Sequence, residues 1–423
     1  MKIFALSVFV LMYVLMIAFQ SRRVLVVAAA AVIYLMSGIL PLSEVPGAIN
    51  WNVLLMICGT MLLVDYFVES KMPNSIANGL LDFSPNVMWV TILMSLFSGA
   101  VSAFVDNVAT VLMVAPVGLA VCKSLKINPV PMILSIAVSS NLQGAATLVG
   151  DTTSIMLGAY AGMDFLEFIW MEGKPGIFFA VELGALATVP IMMILFRKEK
   201  EPVEAGDPVK VKDYVPGILL VMIVVTLIGA SFIPDKPSVT NGLICMAYAL
   251  LMVVLDFLRT RDTDHVRHAL KAVDVETLLL LTGLFIVIQG ITEAGVIDDF
   301  SRLLVQVGGG NLFLLYTLIV WGSVLISAFV DNIPYVATML PVLSGVTAMM
   351  GIEPYLLFFG LLTGATLGGN LTPIGASANI TAVGLLKKNG YEVSFGDFMK
   401  IGVPFTLTAV MVGYLFLWLV WRP

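Results

Sequence analysis

The run Ser102-Ala-Phe-Val-Asp-Asn107 returns as Ser327-Ala-Phe-Val-Asp-Asn332, 225 residues further along the chain. Across 102–117 and 327–342, nine of sixteen positions are identical, including Asp106/Asp331, Asn107/Asn332 and Pro116/Pro341. The same offset pairs Gly144 with Gly369, Thr147 with Thr372 and Gly150 with Gly375. Upstream, an offset of 224 aligns Trp51-Asn52 with Val275-Glu276 and Gly59 with Gly283. A register held over roughly a hundred residues is the mark of an internal duplication.

The repeats lie in a very apolar chain. Of 423 residues, 59% are hydrophobic and 12% charged, and the mean hydropathy is +1.01. A soluble domain carries about 25% charged residues, so a soluble enzyme is excluded, as are disorder, collagen and coiled coil. The 22 Lys and Arg form no stripe, which argues against a nucleic-acid partner. Cys58, Cys122 and Cys245 are scattered and read as packing residues. His265 and His268 read as members of a solvated, charged loop, with no metal site expected.

Apolar blocks run at about 3–19, 24–41, 50–68, 86–124, 130–162, 176–196, 214–234, 239–257, 274–291, 311–348, 354–386 and 402–421. A membrane helix needs about 20 such residues. The first block is expected to be a retained helix, because Arg22 and Arg23 follow it and no small-residue cleavage pattern appears. Blocks 86–124 and 311–348 are too long for one crossing and are broken at Ser102–Asn107 and Ser327–Asn332, so they read as re-entrant hairpins. Blocks 130–162 and 354–386 carry glycine-rich polar breaks at Asn141–Ser154 and Thr366–Asn379.

The expected fold is therefore an all-α polytopic membrane protein. Each half has five spanning helices plus one re-entrant hairpin, giving ten spans and two hairpins in all. An odd number of crossings inverts the second half, an arrangement found in secondary transporters with sites at discontinuous helices near the midplane. The first repeat is placed at 1–196 (scaffold about 1–70, transport segment about 72–196). A cytoplasmic linker follows at 197–213, and the second repeat is 214–423 (scaffold about 214–291, transport segment about 300–421). On this threading, loops 21–23, 69–85, 122–130, 197–213, 258–273 and 387–401 share one side and hold 17 of the 22 basic residues. The positive-inside rule puts that side in the cytoplasm and both termini outside.

Irregular backbone at membrane depth is tolerated only where protein or a water-filled cavity satisfies it. The four breaks bring Asp106, Asn107, Asn141, Thr147, Asp151, Thr152, Thr153, Ser154, Asp331, Asn332, Asn370, Thr372, Ser377 and Asn379 into hydrocarbon-length sequence. An intramembrane carboxylate costs roughly 2.5–3.5 kcal/mol on insertion scales. Two at matched positions, Asp106 and Asp331, point to binding of Na⁺ or H⁺, although Asp before a helix also caps it. Asp65 and Glu182 are further candidates for a proton relay. The absence of any mid-membrane Lys or Arg favours a cation as at least one transported species.

Three runs carry a family resemblance: Asp106-Asn-Val-Ala-Thr-Val-Leu-Met, Asn141-Leu-Gln-Gly-Ala-Ala-Thr-Leu-Val-Gly-Asp151 and Gly369-Asn-Leu-Thr-Pro-Ile-Gly-Ala-Ser-Ala-Asn379. They resemble the ArsB/NhaD permeases of the ion transporter superfamily. That group includes the arsenite pump, NhaD-type sodium–proton antiporters, the P protein and, more distantly, dicarboxylate/sodium symporters. The resemblance implies two hairpins, two broken helices, a scaffold, a moving transport domain and a homodimer; an elevator-like movement and a plasma (inner) membrane location are expected with it. In the dicarboxylate branch the tips read Ser-Asn-Thr, whereas Asp106-Asn107-Val108 and Asp331-Asn332-Ile333 stand there in this chain. The usual Gly-Asp-Pro-Pro-Asn of the first broken helix reads Gly150-Asp-Thr-Thr-Ser154.

The leading expectation is a secondary active transporter working by alternating access and exchanging Na⁺ for H⁺, with no cofactor beyond the coupling ion. The alternatives are proton-coupled efflux of arsenite or another inorganic anion, Na⁺-coupled carboxylate uptake, and a passive ion channel. An aspartyl protease is disfavoured, because Leu148-Val-Gly-Asp151 lacks the first glycine of a GxGD pattern.

Overall fold

The structure is a computed structural model that describes residues 1–19, 22–203, 209–261 and 263–423, with residue 265 described by its backbone alone. Residue 21 of the first basic loop, 204–208 of the linker and the His265 side chain lie outside the described residues.

The duplication is written into the helix boundaries. Val87–Ser102, Asn107–Leu125, Val130–Gln143 and the turn Gly144–Ala146 are matched by Leu312–Ser327, Asn332–Met350, Tyr355–Gly368 and Gly369–Leu371, every limit 225 residues on. The signals that set those limits repeat as well. The Asn86 side chain accepts the Trp89 N–H at 3.2 Å, and the Asn311 side chain accepts that of Leu314 at 3.1 Å. Lys126 and Gly351 end the second hairpin arms in the left-handed region, at φ of 56° and 66°. Asparagine caps and left-handed stops are ordinary helix punctuation. Trp51–Glu69 and Val275–Glu293 match at offset 224.

Among the described residues, seven helices are long and apolar enough to cross a membrane: Trp51–Glu69, Asn107–Leu125, Ile177–Leu195, Thr240–Thr260, Val275–Glu293, Asn332–Met350 and Phe395–Trp421. An eighth span is possible if Val296–Gly308 and Leu312–Ser327, bent by 116°, count as one. Lys2–Ala18, Arg23–Met36, Val87–Ser102, Val215–Ala230 and both first arms of the broken helices are apolar but shorter. The expected span at 24–41 is cut short. Its helix ends at Met36, and Gly38 turns the chain at φ 70°. At 1.5 Å per residue, 14 residues reach about 21 Å, less than the ~30 Å hydrocarbon core.

The halves exchange their opening helices. Lys2–Ala18 and Arg23–Met36 pack on Val275–Glu293 of the other half, and Val215–Ala230 and Thr240–Thr260 pack on Trp51–Glu69. Glycines let these backbones approach. A Cβ on Gly283 would meet Val27 at 2.7 Å, and one on Gly59 would meet the Cys245 carbonyl carbon at 2.5 Å. The Asn52 Oδ1 accepts the Gly242 N–H at 2.7 Å in the second seam.

Polar contacts tie several of the basic loops to one another. Lys212 N–H donates to Ser70 O at 2.8 Å, Val87 N–H to Glu201 O at 3.0 Å, and Lys123 Nζ to Asn389 Oδ1 at 2.8 Å. Arg259 pairs with Asp213 at 2.9 Å. Elsewhere, Lys2 pairs with Asp299 at 2.6 Å, and Lys236 pairs with Asp164.

The all-helical expectation needs one correction. Trp170–Met171 and Lys174–Pro175 form a small antiparallel hairpin. Glu172 and Gly173 take φ of 52° and 76°, the pair of positive values a tight two-residue hairpin turn requires. The Trp421 indole N–H donates to Pro175 O at 3.0 Å and ties the hairpin to the last helix.

Candidate functional site

The four breaks meet. In the first hairpin, helix Val87–Ser102 stops and Asn107–Leu125 starts on Asp106, whose Oδ2 accepts the N–H groups of Val108 and Ala109 at 3.0 and 3.2 Å. The second hairpin repeats this with Asp331, whose Oδ1 accepts the Ile333 N–H at 3.0 Å. Ser102 donates to Asn107 Oδ1 at 2.6 Å, and Ser327 donates to Asn332 Oδ1 likewise. Each broken helix is pinned to its hairpin tip by a threonine: Thr147 donates to Ala103 O, and Thr372 to Ala328 O.

The two broken helices cross at Asn141. Its Nδ2 donates to Thr366 O at 2.7 Å and to Asn370 Oδ1 at 3.1 Å, while its Oδ1 accepts from Asn107 Nδ2 at 3.3 Å. Asn370 Nδ2 returns a bond to Val138 O at 2.8 Å, and the Thr153 and Thr366 hydroxyls bond at 3.0 Å. All these side chains are buried. Replacing Asn141 by Ala leaves the Asn370 and Asn107 amides short of a partner away from water. We expect a loss of about 2–3 kcal/mol, read as a fall in apparent Tm of the detergent-solubilised protein.

This junction walls a cavity of about 430 Å³. Of the residues singled out in the sequence, Asp106, Asn107, Asn141, Asp151, Thr152, Thr153, Asp331, Asn332 and Ser377 line it, as does Asp65. Thr147, Ser154, Asn370, Thr372 and Asn379 do not; they are buried behind it. Asn379 Nδ2 donates to Gly369 O and Thr372 O at 3.1 and 3.2 Å, so it braces the second break. Glu182, half-buried on Ile177–Leu195, is also absent from the lining.

Three lining residues were missed. Arg23 reads as a loop charge, but it opens a helix and pairs with Asp331 at the second tip. No Lys or Arg was expected at the site, yet Arg23, the first residue of its helix, lines the cavity. Asp274 and Thr277 also line the cavity, where Asp274 caps Val275–Glu293 and accepts the Thr277 hydroxyl at 2.6 Å.

The cavity has two unlike poles. Around the first half, a small annex of about 10 Å³ is lined by Asp106, Asp151, Thr60 and Thr152. That volume admits about one water-sized occupant. Asp151 holds the N-cap position of Thr152–Ala161, yet its carboxylate accepts the Thr153 hydroxyl at 2.7 Å and no backbone cap bond. Around the second half, Ala376 stands where Asp151 would, and helix Ser377–Lys388 starts with no side-chain cap. Its bare N–H groups and positive dipole end favour an anion, and Arg23 lies on the same wall. In total, Asp65, Asp106, Asp151, Asp274 and Asp331 face one arginine.

At the edge, His268 lies on helix Thr263–Ala272 rather than in a loop, with Nδ1 3.5 Å from Glu69 Oε1. Ligand atoms of Asp65, Glu69 and His268 fall within 4.8 Å of one another, a set able by residue type to ligate a metal ion.

The profile of the family described as "CitMHS: Citrate transporter" matches residues 12–364. The 46 kDa membrane protein of Mycobacterium leprae is 30% identical over 442 residues, covering 99% of each chain. An uncharacterized transporter of Mycobacterium tuberculosis is 30% identical over 432 residues, again 99% of each. The P protein of Homo sapiens is 25% identical over 458 residues, which is 89% of this chain and 54% of the P protein. The fold is similar to the crystal structure of the Alcanivorax borkumensis YdaH transporter, with a TM-score of 0.60 at 13% identity, covering 89% of this chain and 87% of that one.

Proposed function

The chain belongs to the citrate transporter (CitMHS) family, and from that premise we propose that it couples Na⁺ or H⁺ to the movement of a small carboxylate anion by alternating access. It is a multi-pass membrane transporter and not an enzyme. The observation that carries the finer reading is the polarity of the cavity. The annex between Asp106 and Asp151 suits a monatomic cation, and the wall of Arg23 and the bare Ser377 N-terminus suits a carboxylate. Five carboxylates against one arginine would repel an anion arriving alone; a cation bound first lowers that barrier, which is the physical basis of coupling.

Cation exchange without an anion, Na⁺ against H⁺, is the second reading, favoured by the same excess of acids. Arsenite efflux is less well supported: neither Cys58, Cys122 nor Cys245 lines the cavity. The repeated boundaries support inverted halves, and the contacts among basic loops support their cytoplasmic placement, with both termini outside. The exchanged opening helices support a scaffold of about 1–70 and 214–291, around which hairpins and broken helices move as an elevator in a plasma-membrane homodimer.

Proteoliposomes test the proposal. Citrate or succinate uptake should saturate and should need an inward Na⁺ or H⁺ gradient. Gradient-driven proton movement with no carboxylate dependence would favour plain exchange, and gradient-independent flux would defeat both.

A further inference from the structure

Arg23 is the one cation among the described residues lining the cavity. Its guanidinium donates to Asp331 Oδ2, while Oδ1 of the same carboxylate holds the Ile333 N–H at 3.0 Å. The partners belong to different bodies of the fold. Arg23 opens a helix seated on Val275–Glu293, and Asp331 is the tip of the second hairpin. Arg23 and Asp331, with Gly375–Ser377, line both the 430 Å³ cavity and a second one of about 460 Å³. The pair is thus a partition between two spaces, with side chains 27% and 26% exposed. The first tip has no such tie: Asp106 has no ion pair among the described residues.

A partly exposed ion pair that water still reaches is weak enough to exchange. Among the described residues only one guanidinium nitrogen is hydrogen-bonded, and the fork of five donors matches any carboxylate in bidentate fashion. We propose that the Arg23–Asp331 pair is an anion-operated latch. A substrate carboxylate displaces Asp331 from Arg23, filling the anion pole and releasing the second hairpin tip from helix Arg23–Met36 in one step. The latch rests on the carboxylate reading above and adds to it a residue that competes with the substrate.

Competition predicts an unusual sign. Asp331→Asn keeps a side-chain cap for the helix, since Asn caps as well as Asp, but frees Arg23. Citrate binding to the purified full-length protein, measured by calorimetry, should tighten about tenfold. Asp274→Asn removes a cavity charge without touching Arg23 and should tighten it at most two- to threefold. Arg23→Gln should weaken binding about tenfold or more, and Arg23→Lys less. A Val330→Cys probe beside the tip, with the three native cysteines changed to Ala, should react with a soluble maleimide faster when citrate is added. In Asp331→Asn it should react fast without citrate. If the wild type binds citrate or succinate but Asp331→Asn binds no tighter than Asp274→Asn, the latch is wrong and the carboxylate reading stands. If no carboxylate binds to the wild type or to Asp331→Asn, both fall.

Discussion

Asp106→Asn is expected to weaken the cation dependence of flux by about one to two orders of magnitude in a protein that still folds. The two roles of this side chain separate cleanly. Its Oδ2 caps the second hairpin arm through Val108 and Ala109, and an asparagine oxygen does this equally well. What the substitution removes is the negative charge on one wall of the annex shared with Asp151. A charged ligand contributes roughly 1.5–3 kcal/mol to such a contact, so cation affinity should fall about 10- to 100-fold. Asp151→Asn should do the same, and because the two acids share one small space their effects should not add. The check is uptake into proteoliposomes at varied Na⁺ and pH, alongside an apparent Tm within a degree or two of wild type. A variant with normal cation dependence would reduce Asp106 to a cap.

The parts of the site carried by broken backbone were legible in the sequence. Polar, glycine-rich runs inside apolar blocks have no innocent explanation at membrane depth, and the repeat marks them twice. What the pattern does not reveal is which polar side chain at a break faces the cavity. Asp151 and Thr153 line it, while Thr372 and Asn379 brace the backbone behind it. The composition of the run is the same in both cases, and only the direction of each side chain differs. Arg23 was hidden for another reason. It follows Arg22 in a short polar gap between apolar blocks, which has the pattern of a solvated loop; its place in the cavity lining is a tertiary fact. Asp274 carried a usable signal, because Asp274 with Thr277 is a capping sequence that fixes where helix Val275–Glu293 begins. The hairpin at Trp170–Pro175 has two-residue strands, too short for any periodicity to show.

Gly150→Ala and Gly375→Ala should both be strongly damaging single-methyl changes, and should damage the two poles differently. Neither glycine has positive φ, so the requirement is close approach and not left-handed backbone. A Cβ on Gly150 would lie 2.5 Å from Gly144 O and 2.7 Å from both Ala103 O and Ser102 O. A Cβ on Gly375 would lie 2.5 Å from Gly369 O and 2.9 Å from Ala328 O and Ser327 O. These are backbone carbonyls of two separate elements, and Ala103 O and Ala328 O also hold the threonine pins. Nothing flexible can yield, so each break must part from its hairpin tip. The cost should reach the upper end for overpacking, about 3 kcal/mol. Gly150 lines the annex with Asp106 and Asp151, whereas Gly375 lies beside Arg23 and Ser377. Where protein survives, Gly150→Ala should therefore raise the cation concentration for half-maximal uptake, and Gly375→Ala that of the carboxylate. Gly384→Ala is the control. It sits in helix Ser377–Lys388 with open space around it, and should raise the apparent Tm slightly, in keeping with the ~1 kcal/mol helix preference of Ala over Gly. Equal effects of Gly150→Ala and Gly375→Ala on both substrates would mean that the two poles are not separate sites.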